Sequence, residues 1–262
     1  MNSTSNKSFE KLVGPGESLR VMESLRRGAS RRDILAMLMA GGMQATLAGG
    51  IAGAAMSAHA QTPRKGGRIR VAGATAAATD TLDPAKQSNQ TDYSRCNMVY
   101  NGLTSLDSSL TPQPALAESF TTNDAKTWVF TLRKGVTFHD GKALSPADVV
   151  FSVMRHKDPA TASKAKVLAD QIESVKATGP NEVTFALSAP NADLPVILGT
   201  FHFHIVKEGT TDFNAGIGTG PYKLKEFKPG VRSLMVRNDA YWKPGKPYLD
   251  EIEFVGIGDE SA

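Results

Sequence analysis

Residues 126–154, KTWVFTLRKGVTFHDGKALSPADVVFSVM, contain the clearest secondary-structure signals in the sequence. Trp128, Phe130 and Leu132 alternate with other residues in the period-two pattern that predicts a half-buried strand. Because side chains two apart on a strand point to the same face, these three side chains are expected to enter the core together. The stretch therefore predicts a strand with its apolar face buried.

The same stretch continues into a second short strand and a capped helix. Val136 and Phe138 predict the second strand, and Gly141 permits the turn after it because glycine accepts a positive φ. Ser145 is a typical N-cap, and Pro146 suits the first helical position. The apolar face of the predicted helix is formed by Val149, Val150, Val153 and Met154.

The residue pattern of this stretch closely resembles a block of family 5 of the extracellular solute-binding proteins, which serve peptide and nickel ABC transporters. Two later blocks agree with that family in the same order. They are GTGPY at 218–222, and NDAYW at 238–242 followed by LDEI at 249–252. Together the three blocks extend the resemblance from about residue 66 to the end of the chain.

The resemblance implies an α/β fold, a lobe of the periplasmic-binding-protein type with a mixed β-sheet and an inserted α+β subdomain. It implies a first-lobe core at 61–106 plus 178–258 and the inserted subdomain at 107–177. Residues 259–262 would start the crossover to a second lobe, which is absent from this chain. The charged residues that hold a peptide's termini in the family belong to that missing lobe.

One loop is the candidate ligand site. The segment 74–84, ATAAATDTLDP, is small, flexible and non-periodic, and in the family the loop after the first strand faces the ligand. From the residues alone, an ordinary surface loop with Asp80 and Asp83 as turn caps is the alternative. The ligand contacts implied by the resemblance are Ala77, Ala78, Thr79, Asp80, Thr81 and Leu82.

Residues 1–60 predict a twin-arginine signal peptide. Arg31 and Arg32 open an Ala/Gly/Met-rich run at 36–56, and Ala-His-Ala at 58–60 is typical of a cleavage site. The alternative is a membrane anchor, because the run is long enough to span a bilayer although poorly apolar. No cysteine stands directly after the run, so the expected product is a free periplasmic protein.

Charge and cysteine content exclude several classes of function. The first 60 residues hold seven Lys/Arg and four Asp/Glu, which leaves 23 basic and 22 acidic residues in the remainder. This balance gives no electrostatic footprint for nucleic acid or anionic lipid. Cys96 is the single cysteine, so an internal disulfide and a multi-cysteine metal site are excluded, and it is expected in the core.

The remaining motifs favour structural roles. Segment 201–206 predicts a strand that places His202 and His204 on one face, but no third metal ligand lies nearby in sequence. Gly102 is expected as the C′ stop of a helix over 90–101. His139 and the glycine-rich segment 216–220 are expected in turns, since no helix follows to hold a phosphate.

The resemblance, together with the predicted signal peptide and the balanced charge, implies the periplasmic substrate-binding component of an ABC importer, present as an N-terminal lobe or truncated protein. Peptides are the favoured solute, membrane permease subunits the expected partners, and a monomer without cofactors the expected state. No nucleophile elbow, metal pair or phosphate loop supports an enzyme, so a periplasmic hydrolase is disfavoured. The alternatives left open are a signalling or scaffold protein sharing the fold, and an importer subunit for nickel chelates or other small solutes.

Overall fold

The computed structural model describes residues 19–21, 23–24, 27, 29–40 and 64–257. The chain divides into two compact units, Met1–Lys65 and Gly66–Ala262. The predicted cleavage site, most of the apolar run before it and the predicted crossover at 259–262 lie outside the described residues. Within the described part of the chain, no helix has the length and apolarity needed to cross a membrane.

The first unit contains helix α1, Arg31–Ala40. Its start is capped because the Asp33 carboxylate accepts hydrogen bonds from the Ser30 amide at 2.8 Å and the Ser30 hydroxyl at 2.7 Å. Ile34 and Leu38, four residues apart on one helical face, are buried. The two arginines of the predicted export motif therefore form the first turn of a capped helix.

The second unit alternates short strands, helices and 3-10 turns. In chain order the strands and helices are β1 (Arg68–Gly73), α2 (Gln90–Val99), β2 (Thr104–Leu106), β3 (Pro112–Pro114), β4 (Ala117–Thr122), β5 (Thr127–Leu132), α3 (Pro146–Met154), α4 (Lys166–Asp170), β6 (Ile172–Gly179), β7 (Glu182–Leu187), α5 (Leu194–Ile197), β8 (Tyr222–Lys228), β9 (Arg232–Arg237) and β10 (Glu251–Gly256). The predicted mixed α/β content is confirmed.

The first sheet has the strand order β1-β10-β9-β8. β1 pairs with β10 in parallel, while β9 is antiparallel to both β10 and β8, so the sheet is mixed as predicted. Glu253, in the central strand β10, pairs with Arg68, Arg70 and Arg232. Hydrogen bonds from Arg70, then Arg68 and Arg232, lower the pKa of Glu253 to about 2, so it stays ionised.

The second sheet is antiparallel with the order β4-β5-β7-β6. Trp128, Phe130 and Leu132 of β5 are buried while the residues between them are not, which confirms the predicted strand face. Helix α3 packs against β6 and β7. Its start matches the prediction, because the Asp148 carboxylate accepts from the Ser145 amide at 2.8 Å and hydroxyl at 2.6 Å.

The strand pairing corrects one part of the predicted organisation. The predicted boundary between positions 177 and 178 falls inside β6, and β7 pairs with β5 and β6 rather than with the first sheet. A short turn joins β6 to β7, so the two strands fold as one hairpin and stay in one sheet. Residues 178–187 therefore belong to the second sheet.

Three local predictions were wrong. Phe201–Phe203 is a 3-10 turn rather than a strand, and the His202 ring hydrogen-bonds the Gln87 carbonyl at 3.2 Å in place of strand pairing. The predicted strand at Val136 and Phe138 is reduced to one bridge, between Thr137 and Ala143.

The third of these concerns the glycine after helix α2. The helix is capped by Tyr100, before Gly102 is reached. A Cβ at Gly102 would lie 2.8 Å from the Thr104 carbonyl oxygen and 2.9 Å from that of Leu198. Glycine is needed there because two backbone segments pass close by, so its role is packing rather than helix termination.

Candidate functional site

The predicted ligand loop connects β1 to a 3-10 turn at Pro84–Lys86. Its backbone lies against the turn between β8 and β9. A Cβ at Gly230 would lie 2.9 Å from the Ala77 carbonyl carbon and 3.0 Å from the Ala78 nitrogen. Gly230 also has a φ of +71°, so both its conformation and this contact favour glycine. The tight turn between β8 and β9 thus packs against the backbone of the loop.

A buried ion pair fixes the middle of the loop. Arg95 Nη1 lies 2.7 Å from Asp80 Oδ2, and both side chains are fully buried. Asp80 Oδ1 also accepts hydrogen bonds from the Ala77 amide at 3.0 Å and from Asn89 Nδ2 at 3.2 Å. Because a buried carboxylate needs a partner charge, Asp80 is committed to holding the loop on α2.

The end of the loop carries a second clamp. Both terminal nitrogens of Arg155 lie 2.8 Å from the two carboxylate oxygens of Asp83, a bidentate pair. Asp92 adds a third contact by accepting the Thr81 amide at 3.0 Å. Burial raises the pKa of Asp92, and the bond from Thr81 opposes that effect. The loop is therefore held in one shape by charges from α2 and from the turn after α3.

The six predicted contact residues differ in their exposure to solvent. Ala78 and Thr79 are exposed, and Ala77 and Thr81 are half-buried. Asp80 and Leu82 are buried, Asp80 in its ion pair and Leu82 in the core under the first sheet. Their contact with a solute stays a prediction.

A cavity of about 180 Å³ opens beside the loop, between the carboxyl end of β1 and the first half of α2. The Thr75 and Thr91 hydroxyls in its wall are hydrogen-bonded to each other, with their oxygens 2.7 Å apart. The lining residues are Val71, Ala72, Gly73, Ala74, Thr75, Gln90, Thr91, Ser94 and Phe254. The sequence interpretation did not name them as contacts.

Gly73 was the signal that could have pointed to this cavity. A Cβ at that position would lie 3.1 Å from the Thr91 methyl carbon, so the glycine lets α2 approach the end of β1 closely. A glycine at the end of a strand often marks such a close approach. The cavity and the loop together form the candidate solute groove, defined here as residues 71–82 with Gln90, Thr91 and Ser94.

His139 serves a structural contact. The two ring nitrogens of His139 lie 3.2 Å from the Gly216 carbonyl oxygen and 3.0 Å from that of Gly220. His139 thus ties the predicted glycine-rich turn to the turn after β5, and burial lowers the pKa of its imidazole. Within the described ranges, no group of three or more His, Cys, Asp or Glu side chains could hold a metal ion.

Comparisons with known proteins agree on one family. The family model for bacterial extracellular solute-binding proteins, family 5 Middle, matches residues 111–262. An oligopeptide-binding protein, AppA of Bacillus subtilis, is 34% identical over 181 residues, which cover 63% of this chain and 33% of that protein.

Solved structures show the same fold. The periplasmic binding protein DppA of Helicobacter pylori, in complex with the peptide STSA, has a TM-score of 0.66 and 27% identity. The match covers 76% of this chain and 44% of that one. AgaA of A. tumefaciens R10, in complex with agropinic acid, has a TM-score of 0.68 and 27% identity, over 74% of this chain and 40% of that one. The chain spans about a third of the length of the curated relatives it matches.

Proposed function

Because the chain belongs to the bacterial extracellular solute-binding proteins of family 5, we propose that it binds a peptide for an ABC importer. The membrane permease subunits of that importer are its proposed partners, and a monomer is its proposed state. The proposal assigns the chain the first lobe of such a protein, with the second sheet as an inserted subdomain. The role is binding, without catalysis.

The observation that carries the proposal is the candidate solute groove. It lies at the carboxyl end of a strand, where open α/β folds place their ligands. Small residues and main chain form much of its wall, and the loop carboxylates of Asp80 and Asp83 are already paired with arginines. Such a surface suits a ligand recognised through its own main chain, which is how extended peptides bind at strand edges.

Relatives support a peptide over other solutes. AppA is named as an oligopeptide-binding protein, and the DppA structure contains a peptide. AgaA, with a similar TM-score, contains agropinic acid, which makes opine-like solutes the main competitor. We propose that Ala77, Ala78, Thr79 and Thr81 contact the solute directly, while Asp80 and Leu82 hold the loop in place.

A filled-groove variant tests the proposal. Ala74→Tyr places a ring at an exposed position that lines the groove, and Val167→Tyr places the same ring on the exposed surface of α4. Thermal-shift titrations with di- to nonapeptides, nickel–histidine and an opine should give shifts with peptides alone. Ala74→Tyr should abolish them and Val167→Tyr should not. Equal shifts in both variants would contradict the groove as the binding site.

Transport is separated from a scaffold role by a second measurement. With the partner permease and its ATPase in vesicles, a transport component should stimulate ATP hydrolysis when peptide is added. A scaffold protein of the same fold should bind the complex without this peptide-dependent stimulation.

Export through the twin-arginine route to the periplasm is part of the same proposal. Arg31 and Arg32 begin the capped helix α1 ahead of the apolar run. Replacing both with lysine keeps the charge but removes the guanidinium pair, and should leave the precursor in the cytoplasm. Appearance of the processed form in the periplasmic fraction would exclude this route.

A further inference from the structure

A second cavity lies at the other end of α2. Its volume is about 320 Å³, which lies within the range of pockets that hold small ligands. It is lined by Asn97, Tyr100, Asn101, Gly102, Thr104, Ser105, Leu106, Ala115, Gly199, Thr200, Phe201, His204 and Lys243. None of these residues lines the candidate solute groove, so the two cavities are separate.

His204 is the first unusual feature of this cavity. Its side chain is 6% exposed, and its Nδ1 is buried with no hydrogen-bond partner among the described residues. Buried polar groups are almost always hydrogen-bonded, and leaving one unpaired costs about 1–3 kcal/mol. Burial lowers the pKa of His204 to about 3, so the ring is neutral and carries one donor and one acceptor. A partner in the cavity would remove this cost.

The second feature is a group of cations without counter-charges. Arg133 and Lys243 lie over the ring of Trp242, at 4.8 Å and 5.0 Å from its centroid. Within the part of the chain that the structure describes, no ion pair involves Arg133, Lys243 or Lys246. Burial, followed by the charges of Arg133 and Lys246, lowers the pKa of Lys243. An anion bound beside Lys243 would offset this repulsion.

Hydrogen bonds fix the wall that carries Lys243. Asn101 Oδ1 accepts a hydrogen bond from Trp242 Nε1 at 3.0 Å and from the Thr219 hydroxyl at 3.3 Å. The chain carrying Trp242 and Lys243 is thereby fixed against the end of α2. Tyr100, Leu106 and Phe201 supply apolar surface in the same cavity. Cation, neutral imidazole and apolar wall thus surround one space.

We propose that this cavity is a second binding site, for a small carboxylate-bearing molecule of about amino-acid size. Lys243 pairs with the carboxylate, and His204 hydrogen-bonds another polar group of the ligand. A neutral amide of the same shape lacks the charge that the cations favour, so the site discriminates between the two.

Tryptophan fluorescence tests the proposal, because Trp242 contacts Lys243 and hydrogen-bonds Asn101 at the cavity wall. In a Trp128→Phe background, Trp242 is the single tryptophan. We would titrate L-leucine, lactate and succinate beside leucinamide, lactamide and succinamide. The carboxylates should change the emission saturably and bind at least about tenfold more tightly than their amides.

Three variants locate the effect. Lys243→Met should weaken carboxylate binding by about tenfold or more, whereas Lys246→Met, which removes a neighbouring charge outside the cavity, should change it less than about twofold. His204→Leu should lose binding while raising the midpoint of thermal unfolding, because it removes the unpaired ring nitrogen. That rise also shows that the variant is folded.

Two results would overturn the proposal. One is equal binding of carboxylates and amides, or no binding of either, which would leave a water-filled cavity. The other is an equal loss in Lys246→Met and Lys243→Met, which would indicate a merely electropositive surface. Ala74→Tyr should leave carboxylate binding intact, so failure of the solute-groove proposal and failure of this one are distinguishable.

Discussion

Phe130 lies at the centre of the second sheet's core and is fully buried. Its ring centroid is 5.0 Å from that of Phe185 and 5.7 Å from that of Phe120. Phe130→Ala should lower the free energy of unfolding by about 3–5 kcal/mol through lost burial and the cavity left behind. Denaturant titration measures this, with Thr127→Ala, exposed on the same strand, expected within about 0.5 kcal/mol of wild type. A Phe130→Ala loss below about 1 kcal/mol would contradict the assigned strand face.

Asp80 separates a structural role from a ligand-binding role within one loop. Asp80→Ala leaves Arg95 buried without its closest partner, and should cost about 3 kcal/mol of unfolding free energy. We expect the lower end of the range for broken buried pairs because Asp92 remains 3.4 Å from Arg95.

The matched control for Asp80 is Thr79→Ala, since Thr79 is exposed in the same loop. It should leave the unfolding free energy within about 0.5 kcal/mol of wild type. An Asp80→Ala protein as stable as the Thr79→Ala protein would mean that Asp80 does not hold the loop.

At this scale, local patterns were predictable and long-range partners were not. The alternation around Phe130 predicted which face of the strand is buried, because the backbone fixes the period of a strand at two residues. The pairing of Asp80 with Arg95 depends on how α2 is rotated against the loop, which no local pattern specifies. Gly102 was misassigned for a related reason, since its neighbour Leu198 is far away in sequence.

The turn after α3 and the 3-10 turn at Phe201–Phe203 are in contact through the rings of His156 and Phe203. His156, 1% exposed just after α3, lies with its ring centroid 4.7 Å from that of Phe203. Burial, then the charges of Arg155 and His202, lowers the pKa of His156 to about 4. Burial likewise lowers the pKa of His204 to about 3. Both rings are therefore neutral in the folded protein at mildly acidic pH.

These histidines predict a loss of stability in acid. An unfolded histidine takes up its proton near pH 6.5, so below that pH the unfolded state binds more protons and the unfolding free energy falls. Between pH 7 and pH 5, each of the two rings should lower the unfolding free energy by about 2 kcal/mol. Urea unfolding across this range measures the slope, and His156→Phe should remove about 2 kcal/mol of the loss. A slope unchanged by His156→Phe would contradict its burial as a neutral ring.

Whole elements were predictable where their ends carry a chemical signal. Ser145 and Pro146 marked the start of α3, and the turn between β8 and β9 contains Gly230, which suits a tight turn. The Phe-His-Phe-His alternation at 201–204 misled because this period-two segment forms a 3-10 turn, in which Phe203 is buried. A strand additionally needs a neighbour in register, and sequence alone does not supply one.

Three segments of the second unit converge where β10 ends. A Cβ at Gly256 would lie 2.2 Å from the Gly230 carbonyl oxygen and 2.9 Å from the Ala76 Cβ. The end of β10, the turn between β8 and β9, and the candidate solute groove are therefore adjacent. In the two-lobed relatives that the resemblance implies, closure around a hinge buries the solute from both sides. We expect the candidate solute groove, which lies beside the end of β10, to take part in that closure.

This arrangement predicts weak binding by the chain alone. A dissociation constant of about 1 μM corresponds to a binding free energy of about 8 kcal/mol. If one lobe supplied roughly half of that free energy, the dissociation constant would be about 1 mM. A single lobe also gains nothing from closure and leaves the ligand partly in water, so millimolar is the upper limit of affinity.

An amide-resolved NMR titration of residues 61–262 with an unlabelled tetrapeptide tests whether this groove binds peptide. It detects millimolar binding and locates it on the chain at the same time. We predict saturable shifts with a constant of about 1 mM or weaker, concentrated at 73–82 and at Gln90, Thr91 and Ser94. Micromolar binding, no shifts at all, or shifts centred on another surface would contradict a peptide groove shared between two lobes.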